Sequence, residues 1–472
     1  MASQQLIVVG GGPGGYAAAF LAADLGLSTT LIDPEVNPGG VCVYRGCIPS
    51  KALLHVAKLI GEARQAKAWG VEFGEPKVDL AKLRAFKDDV VKRLTSGTGQ
   101  LVRHRKVQYI QGTAELVDAH TLRVRKASGG EDTLTFEHAI LATGSLPAIP
   151  PMLKVDDPRV MDSTSALDLP DVPKSLLVVG GGYIGLELGS VYATLGSAVT
   201  VVEMTPGLLP GADRDLVDVL ARRVNGMMKA VLLNTRVTQM KAEARGVRVT
   251  FEGEGVKDQA REQLFDRVLV SVGRRPNSKI PGLDRTKVRV NDRGFIVVDK
   301  QLRTEEPSIF AIGDVVGEPM LAHKASHEGR VAVEAIAGQN VAFEPRAIPA
   351  VVFTDPEIAW AGLTETQAVK EGRKVSIAKF PWGASGRAIT LDRTDGITKL
   401  ILDAASEQIL GVGLVGPGAG ELIAEGVLAI EMGANATDLK LSIHPHPTLT
   451  ETMMESAEVF FGQATHVYRP RR

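Results

Sequence analysis

Cysteine is nearly absent from this 472-residue chain: there are two, Cys42 and Cys47, five positions apart in GGVCVYRGCIPSK (39–51). So few cysteines exclude a disulfide-stapled secreted scaffold and make a reducing cytoplasm the expected compartment. No second pair exists to complete a zinc site, and no metal is expected. An excess of charge is missing too. Lysine and arginine number 54 against 55 acidic residues, a net charge of −1, so nothing points to nucleic acid or an anionic membrane. A long clean apolar run is also lacking. The best membrane candidate, LLVVGGGYIGLELGSVYATLG (176–196), carries Glu187 in its middle, and its glycines suit a turn better than a span. No targeting peptide is expected ahead of the first apolar run, which begins at Leu6. What remains is an ordinary globular balance, 44% apolar and 23% charged, with length for about three domains of roughly 150 residues.

The cysteine spacing suits neither a zinc pair nor a structural staple. C-x-x-C zinc pairs are shorter, and a staple closing so small a loop gains little. In a regular helix, residues five apart have Cα atoms about 8.6 Å apart, beyond the roughly 4.4–6.8 Å that a disulfide tolerates. A Cys42–Cys47 bridge therefore needs a distorted backbone, with Gly46 and Pro49 as the expected place for it. Two inert buried thiols are the bland alternative. A redox pair accounts better for both scarcity and proximity.

Glycine, at 50 residues, is abundant and clustered. LIVVGGGPGGYAAAFLAADLGLSTTLID (6–33) is an apolar run, a glycine turn, an alanine-rich helical stretch and a second apolar run ending in Asp33. LLVVGGGYIGLELGSVYATLGSAVTVVE (176–203) repeats that order and ends in Glu203. Gly10, Gly12, Gly15 and Asp33 map onto Gly180, Gly182, Gly185 and Glu203, each displaced by 170 residues. Such glycines let the backbone and a helix N-terminus approach a pyrophosphate, while the acid accepts from ribose hydroxyls. One copy alone could be a plain glycine turn; two in register predict two dinucleotide sites. Nicotinamide does not readily exchange electrons with a disulfide, whereas a flavin mediates. One site should hold FAD, and the first is the better candidate because the cysteines follow it closely.

These residues resemble the flavoprotein disulfide reductases. GGVCVYRGCIPSKALL resembles that family's redox-disulfide segment. ILATGS (140–145), SVGRRPN (271–277), TEEPSIFAIGD (304–314), EPMLAHKASHEG (318–329), GPGAGELIAEG (416–426) and HPHPTLTE (444–451) follow in family order across nearly the whole chain. The resemblance implies an α/β fold with two Rossmann-like dinucleotide-binding domains and an α+β C-terminal dimerisation domain. Its segments would be an FAD domain (1–145), an NAD domain (146–272), a return to FAD-binding structure (273–345) and an interface domain (346–472). It implies one FAD per subunit, NAD as second cofactor and a homodimer. Lipoylated acyltransferase or carrier proteins of 2-oxo acid dehydrogenase complexes would be the partners, their dihydrolipoyl groups being oxidised.

The resemblance also assigns roles. Cys42 would be the interchange thiol that meets substrate, and Cys47 the charge-transfer thiol beside the flavin. Lys51 would stand at the flavin edge and pair with Glu187. Asp33, Ala114, Thr143, Gly144, Asp314 and Ala322 would contact FAD. Gly180, Gly181, Gly182, Tyr183, Ile184, Glu203, Val237, Gly273 and Arg274 would contact NAD. His446 would be the base, oriented by Glu451, with His444 the rival position. Beside these stand physical reasons. Lys51 follows Cys47 by one helical turn, so its charge can reach the thiolate. A carboxylate at Glu203 suits the free 2′-hydroxyl of NAD and repels the phosphate of NADP. Pro445 and Pro447 restrict the backbone that aims His446.

Three positions depart from the family pattern: Asp33 in place of glutamate, Tyr44–Arg45 between the cysteines, and Pro445 in place of alanine. None removes a reacting group. An NADPH-driven disulfide or metal-ion reductase is the first rival reading. Glu203 opposes the NADPH-driven reduction, and the cysteine-free ending VYRPRR opposes metal-ion reduction. A silent structural flavoprotein is the second rival, opposed by the intact cysteines and His446. The charged stretch VDLAKLRAFKDDVVKRL (78–94) reads as a solvated helix face.

Overall fold

The computed structural model describes residues 3–256 and 261–468, so the final four residues of VYRPRR lie outside the described chain. Each apolar run becomes a buried strand. Ser3–Val9 pairs in parallel with Thr29–Asp33 on one side and Glu131–Leu141 on the other, and Ile309–Ala311 adds beyond. Leu6, Ile7 and Val8 have no solvent exposure, the condition under which a strand reads as a continuous apolar run. Helix α1 (Pro13–Asp24) follows the first strand, with Gly12 at its N-cap and proline in its first turn. Helices α2 (Gly40–Arg45), α3 (Cys47–Gln65) and α4 (Leu80–His104) then lead to an antiparallel excursion over 108–141.

The chain leaves this unit through Ser145–Pro147 and returns through Arg274–Pro276, the two crossings being paired antiparallel. Between them lies the second copy. Ser175–Val179 is flanked in parallel by Ala198–Val202 and Arg267–Val270, with helices α5 (Ser163–Leu167), α6 (Tyr183–Leu195) and α7 (Arg214–Met227). After the return, α8 (Ala322–Ile336) packs on α1. A last antiparallel sheet of five strands spans 350–416; α9 (Glu365–Lys370) precedes its edge strand, and the helices Ala419–Met432 and Glu451–Phe460 pack on it. The architecture is thus two Rossmann-like α/β units followed by an α+β unit. No helix among the described residues is long and apolar enough to cross a membrane.

The 78–94 stretch departs from a solvated helix face at Arg84 and Lys87, while Asp79, Lys82, Asp88, Asp89, Lys92 and Arg93 are exposed. It is helical, but α4 buries Leu83, Lys87, Thr95, Gly99 and Val102. Lys87 Nζ donates to the Leu167 carbonyl at 3.0 Å, and Arg84 donates to the carbonyls of Leu169 and Pro170, each at 3.1 Å. Long cationic side chains bury their methylenes and spend their donors on carbonyls. Arg84 and Lys87 therefore grip the second unit, while the other charges of the stretch face water.

Candidate active site

Cys42 sits within α2 and Cys47 opens α3, so the helical path breaks between them at Gly46. A Cβ on Gly46 would lie 2.8 Å from the Val41 carbonyl oxygen, which is why glycine occupies the break. Pro49 does not share in it; the proline is buried in the first turn of α3, where its missing N–H costs nothing. The break brings the thiols into hydrogen-bonding contact, and both are free. They are unequal. The hydrogen bond it donates to Cys47, and then burial, push the Cys42 thiol up. The same hydrogen bond pulls Cys47 down to about 7, and Lys51 lowers it further. A helix N-terminus also favours a thiolate there.

Lys51 and Glu187 meet at 2.7 Å, Lys51 Nζ donating to Glu187 Oε2. The same oxygen accepts from Ser50 Oγ at 2.9 Å, and Oε1 accepts from the Phe353 backbone N–H at 3.0 Å. One buried carboxylate on α6 thus holds α3 and the C-terminal unit. Lys51 also lies 4.5 Å from the Phe353 ring centre, a cation–π contact. Ser50 and Phe353 were missed in the sequence. Ser50 stands directly before Lys51, but a backbone donor 302 positions away leaves no local signal.

The first glycine turn is shaped for a nucleotide. Gly10 has φ +107°, and a Cβ on it would lie 2.3 Å from the Ala142 carbonyl oxygen. Asp33 Oδ2 accepts from the Gly11 N–H at 2.5 Å and Oδ1 from the Glu35 N–H at 2.9 Å. Burial raises the Asp33 pKa. A cavity of about 760 Å³ joins Gly10, Gly12, Gly15 and Asp33 to Cys42, Cys47, Lys51 and Glu187; Ala114, Thr143, Gly144, Asp314 and Ala322 also line it. These residues fit FAD. Turn amides and the α1 N-terminus face a pyrophosphate, Asp33 keeps lone pairs for ribose, Asp314 can accept from a sugar-alcohol hydroxyl, and the thiols lie in the same space. Of the departing pair, Tyr44 donates to the Asn37 carbonyl at 3.0 Å and Arg45 pairs with Glu35.

The second turn repeats the geometry. Gly180 has φ +109°; Glu203 is buried, Oε2 accepting from the Gly181 N–H at 2.7 Å and Oε1 from the Thr205 N–H at 2.8 Å. Among the described residues, nothing beyond chain neighbours and the helix's own backbone lies within 4 Å of a Cβ built on Gly182 or Gly273, so both leave room for NAD. Tyr183 and Ile184 reach into the first cavity. Val237 is buried in the core of the second unit, leaving only its backbone for a cofactor. Arg274, expected to contact NAD, stands with Tyr183 and Ile184 on the first cavity. It hangs from the paired crossing and lines the first cavity, with Nε donating to Ser145 Oγ at 2.7 Å and a second nitrogen to the Ser145 carbonyl at 2.8 Å; Ser145 Oγ donates to Asp314.

His446 Nδ1 lies 2.9 Å from Glu451 Oε1, and Glu451 Oε2 accepts from the Thr448 N–H at 2.8 Å. His444 has a different fate: its side chain is buried, with one nitrogen 2.7 Å from Glu425 and the other 2.9 Å from the Ser442 carbonyl. His446 is 71% exposed and keeps Nε2 free for a substrate, yet it does not line the cavity that holds its own chain's cysteines.

Known proteins match this arrangement. The model of the pyridine nucleotide-disulphide oxidoreductases covers residues 4–329, and that of their dimerisation domain covers 348–457. The chain belongs to this family. Like other pyridine nucleotide-disulphide oxidoreductases it is an enzyme that works with FAD and NAD, and its dimerisation domain supports a homodimer. It is 49% identical to the dihydrolipoyl dehydrogenase of Haemophilus influenzae, over 98% of this chain and 96% of that one. It is 45% identical to the dihydrolipoyl dehydrogenase of Geobacillus stearothermophilus, over 98% and 97%. Among solved structures, LpdA of Mycobacterium tuberculosis superposes with a TM-score of 0.88 at 28% identity, over 96% of this chain and 99% of that one. The HOCl-induced flavoprotein disulfide reductase RclA of Escherichia coli, as a Cu(II) complex, gives 0.86 at 28% identity, over 97% and 100%.

Proposed function

We propose that this flavoprotein oxidoreductase oxidises the dihydrolipoyl groups of acyltransferase or carrier proteins of 2-oxo acid dehydrogenase complexes and reduces NAD⁺, in the cytoplasm. The observation that carries this reading is the unequal thiol pair, Cys47 drawn down to about 7 and Cys42 pushed up. In the oxidised enzyme the two sulfurs share a bond. A substrate thiolate attacks Cys42, the bond to Cys47 breaks, and Cys47 leaves as the thiolate that its surroundings favour. The second lipoyl thiol then attacks the mixed disulfide and releases Cys42, so substrate gains a disulfide and the enzyme becomes a dithiol. FAD, when bound, accepts this electron pair and passes it to NAD⁺.

His446 takes the proton from the incoming dithiol at Nε2, while Glu451 holds Nδ1 and stabilises the imidazolium. Its exposure outside the cysteine cavity suits a shared site, in which each His446 serves the cysteines of the partner subunit. Leu428, Met432, Leu441 and Ile443 are exposed on the same unit, at 63%, 76%, 72% and 97%. Apolar exposure of that size marks a surface awaiting a second copy. Glu203 sets the nucleotide: its anchored carboxylate accepts from a ribose hydroxyl and repels a 2′-phosphate.

The test mixes two inactive variants, Cys47→Ser and His446→Ala, under subunit exchange, with turnover of dihydrolipoamide and NAD⁺ as readout. Half the dimers become mixed, each with one complete site across the interface, so activity returns to about a quarter of normal. No recovery despite demonstrated exchange overturns the shared site. Near-normal turnover by Cys47→Ser alone overturns the redox pair.

A further inference from the structure

Lys399, on the strand Ile397–Asp403, has no solvent exposure and no place in the chemistry above. Its Nζ lies 2.7 Å from Asp213, 2.8 Å from Asp215 and 2.9 Å from Glu365. Lys379 adds contacts to Asp215 at 2.8 Å and Glu365 at 2.9 Å. The three carboxylates have the closeness of a cation site, and the Lys399 ammonium stands where the cation would. The network spans two units. Asp213 and Asp215 flank the start of α7 in the NAD-side unit, whereas Glu365, Lys379 and Lys399 belong to the C-terminal unit. Asp213 also accepts from the backbone N–H groups of Glu365 at 3.0 Å and Thr366 at 3.2 Å. A buried charge left without its partner is strongly unfavourable, so these groups hold one another in a single arrangement.

A relay runs from that network to the nucleotide turn. Arg214, between the two aspartates, donates to the carbonyls of Leu208 at 2.8 Å and Leu209 at 2.7 Å, and to that of Ala212. The Leu209 N–H donates to the Gly181 carbonyl at 3.0 Å, and a Cβ on Gly181 would lie 2.7 Å from the Leu208 side chain. Gly181 in turn donates to Glu203. We propose that Lys399 is a positioning residue for NAD⁺: through Asp213, Asp215, Arg214 and the loop 204–213 it fixes the Gly181 turn and the Glu203 carboxylate. The C-terminal unit then sets nucleotide affinity as well as dimerisation. This rests on the reading of Glu203 as the ribose-binding carboxylate.

The test uses the full-length flavin-loaded dimer. Lys399→Met should raise KM for NAD⁺ about fivefold to tenfold, with kcat at saturating NAD⁺, KM for dihydrolipoamide and flavin content all within about twofold. Added to Glu203→Gln, it should raise KM less than about twofold further, because the carboxylate it positions has lost its charge. A lowered Tm with an unchanged KM for NAD⁺ makes Lys399 a structural clasp only and overturns the proposal, as does a fully multiplicative effect in the double variant. Should Lys399→Met not fold, Arg214→Lys keeps the charge but cannot reach all three carbonyls, and is held to the same KM criterion. If Glu203→Gln alone leaves KM for NAD⁺ unchanged, the ribose reading has failed. If Glu203→Gln raises it and neither Lys399→Met nor Arg214→Lys does, the relay alone has failed.

Discussion

Gly10 and Gly180 hold φ at +107° and +109°, and a Cβ on Gly15 or Gly185 would lie 1.8 or 2.2 Å from the carbonyl oxygen of its own turn's first glycine. The two turns repeat one pattern, each with a buried carboxylate on the backbone N–H one residue into the turn. Their surroundings differ. The first is roofed: a Cβ on Gly40 would lie 2.5 Å from Gly12, and one on Gly14 would lie 2.9 Å from the Ala325 carbonyl oxygen of α8. Over the second, no described residue outside its own helix lies within 4 Å of a Cβ built on Gly182, the counterpart of Gly12. One motif thus serves a resident cofactor and an exchanging one, and the neighbours decide which.

The sharpest break of this comparison is a matched pair, Gly15→Ala and Gly185→Ala. The first should yield protein without flavin and lose activity by about a hundredfold or more. The second should keep its flavin while KM for NAD⁺ rises about tenfold. Flavin absorbance per polypeptide and steady-state kinetics read both; equal flavin loss in the two would mean that the turns do not act separately. Next in size is the acid. The unmodified enzyme should prefer NAD⁺ to NADP⁺ at least tenfold in kcat/KM, about 1.4 kcal/mol. Glu203→Ala should narrow that gap chiefly by weakening NAD⁺, and equal use of both nucleotides by the unmodified enzyme would remove Glu203 from the account. The smallest effect concerns Lys51, which ties the first unit to α6 of the second. Its ammonium helps pull Cys47 down to about 7, so Lys51→Met should move thiolate formation to higher pH. The pH dependence of Cys47 alkylation in the reduced enzyme measures it, and an unmoved profile would leave the thiolate to Cys42 and the helix terminus alone.

Much of this site could be read along the chain because its parts are local. A glycine turn, the acid at the next strand end, two cysteines and a proline-flanked histidine each fall within a short window, and the 170-residue displacement made the pair of turns visible. His446 over His444 came from the family resemblance; the physical reason, a buried His444 with both nitrogens engaged, needed the fold. What escaped was long-range. The bonds of Arg274 to Ser145, 129 positions away, depend on strand pairing at the crossing. Lys87 looked solvated like its exposed neighbours on α4 because composition does not reveal the carbonyl that receives it. Lys399 and Asp213 lie 186 positions apart, and no periodicity marks a buried ammonium.

Glu187 makes the three units less interchangeable than their separate folds suggest. Its two oxygens are shared among Ser50, Lys51 and the Phe353 amide, so a graft of the second unit between relatives transplants a junction along with a domain. A chimera whose donor keeps this glutamate while its host lacks either the serine–lysine pair or the same backbone path at 353 inherits an unmatched charge at its seam. Recombination within this architecture is therefore constrained less by loop length at the crossings than by one acid on a helix that neither crossing contains.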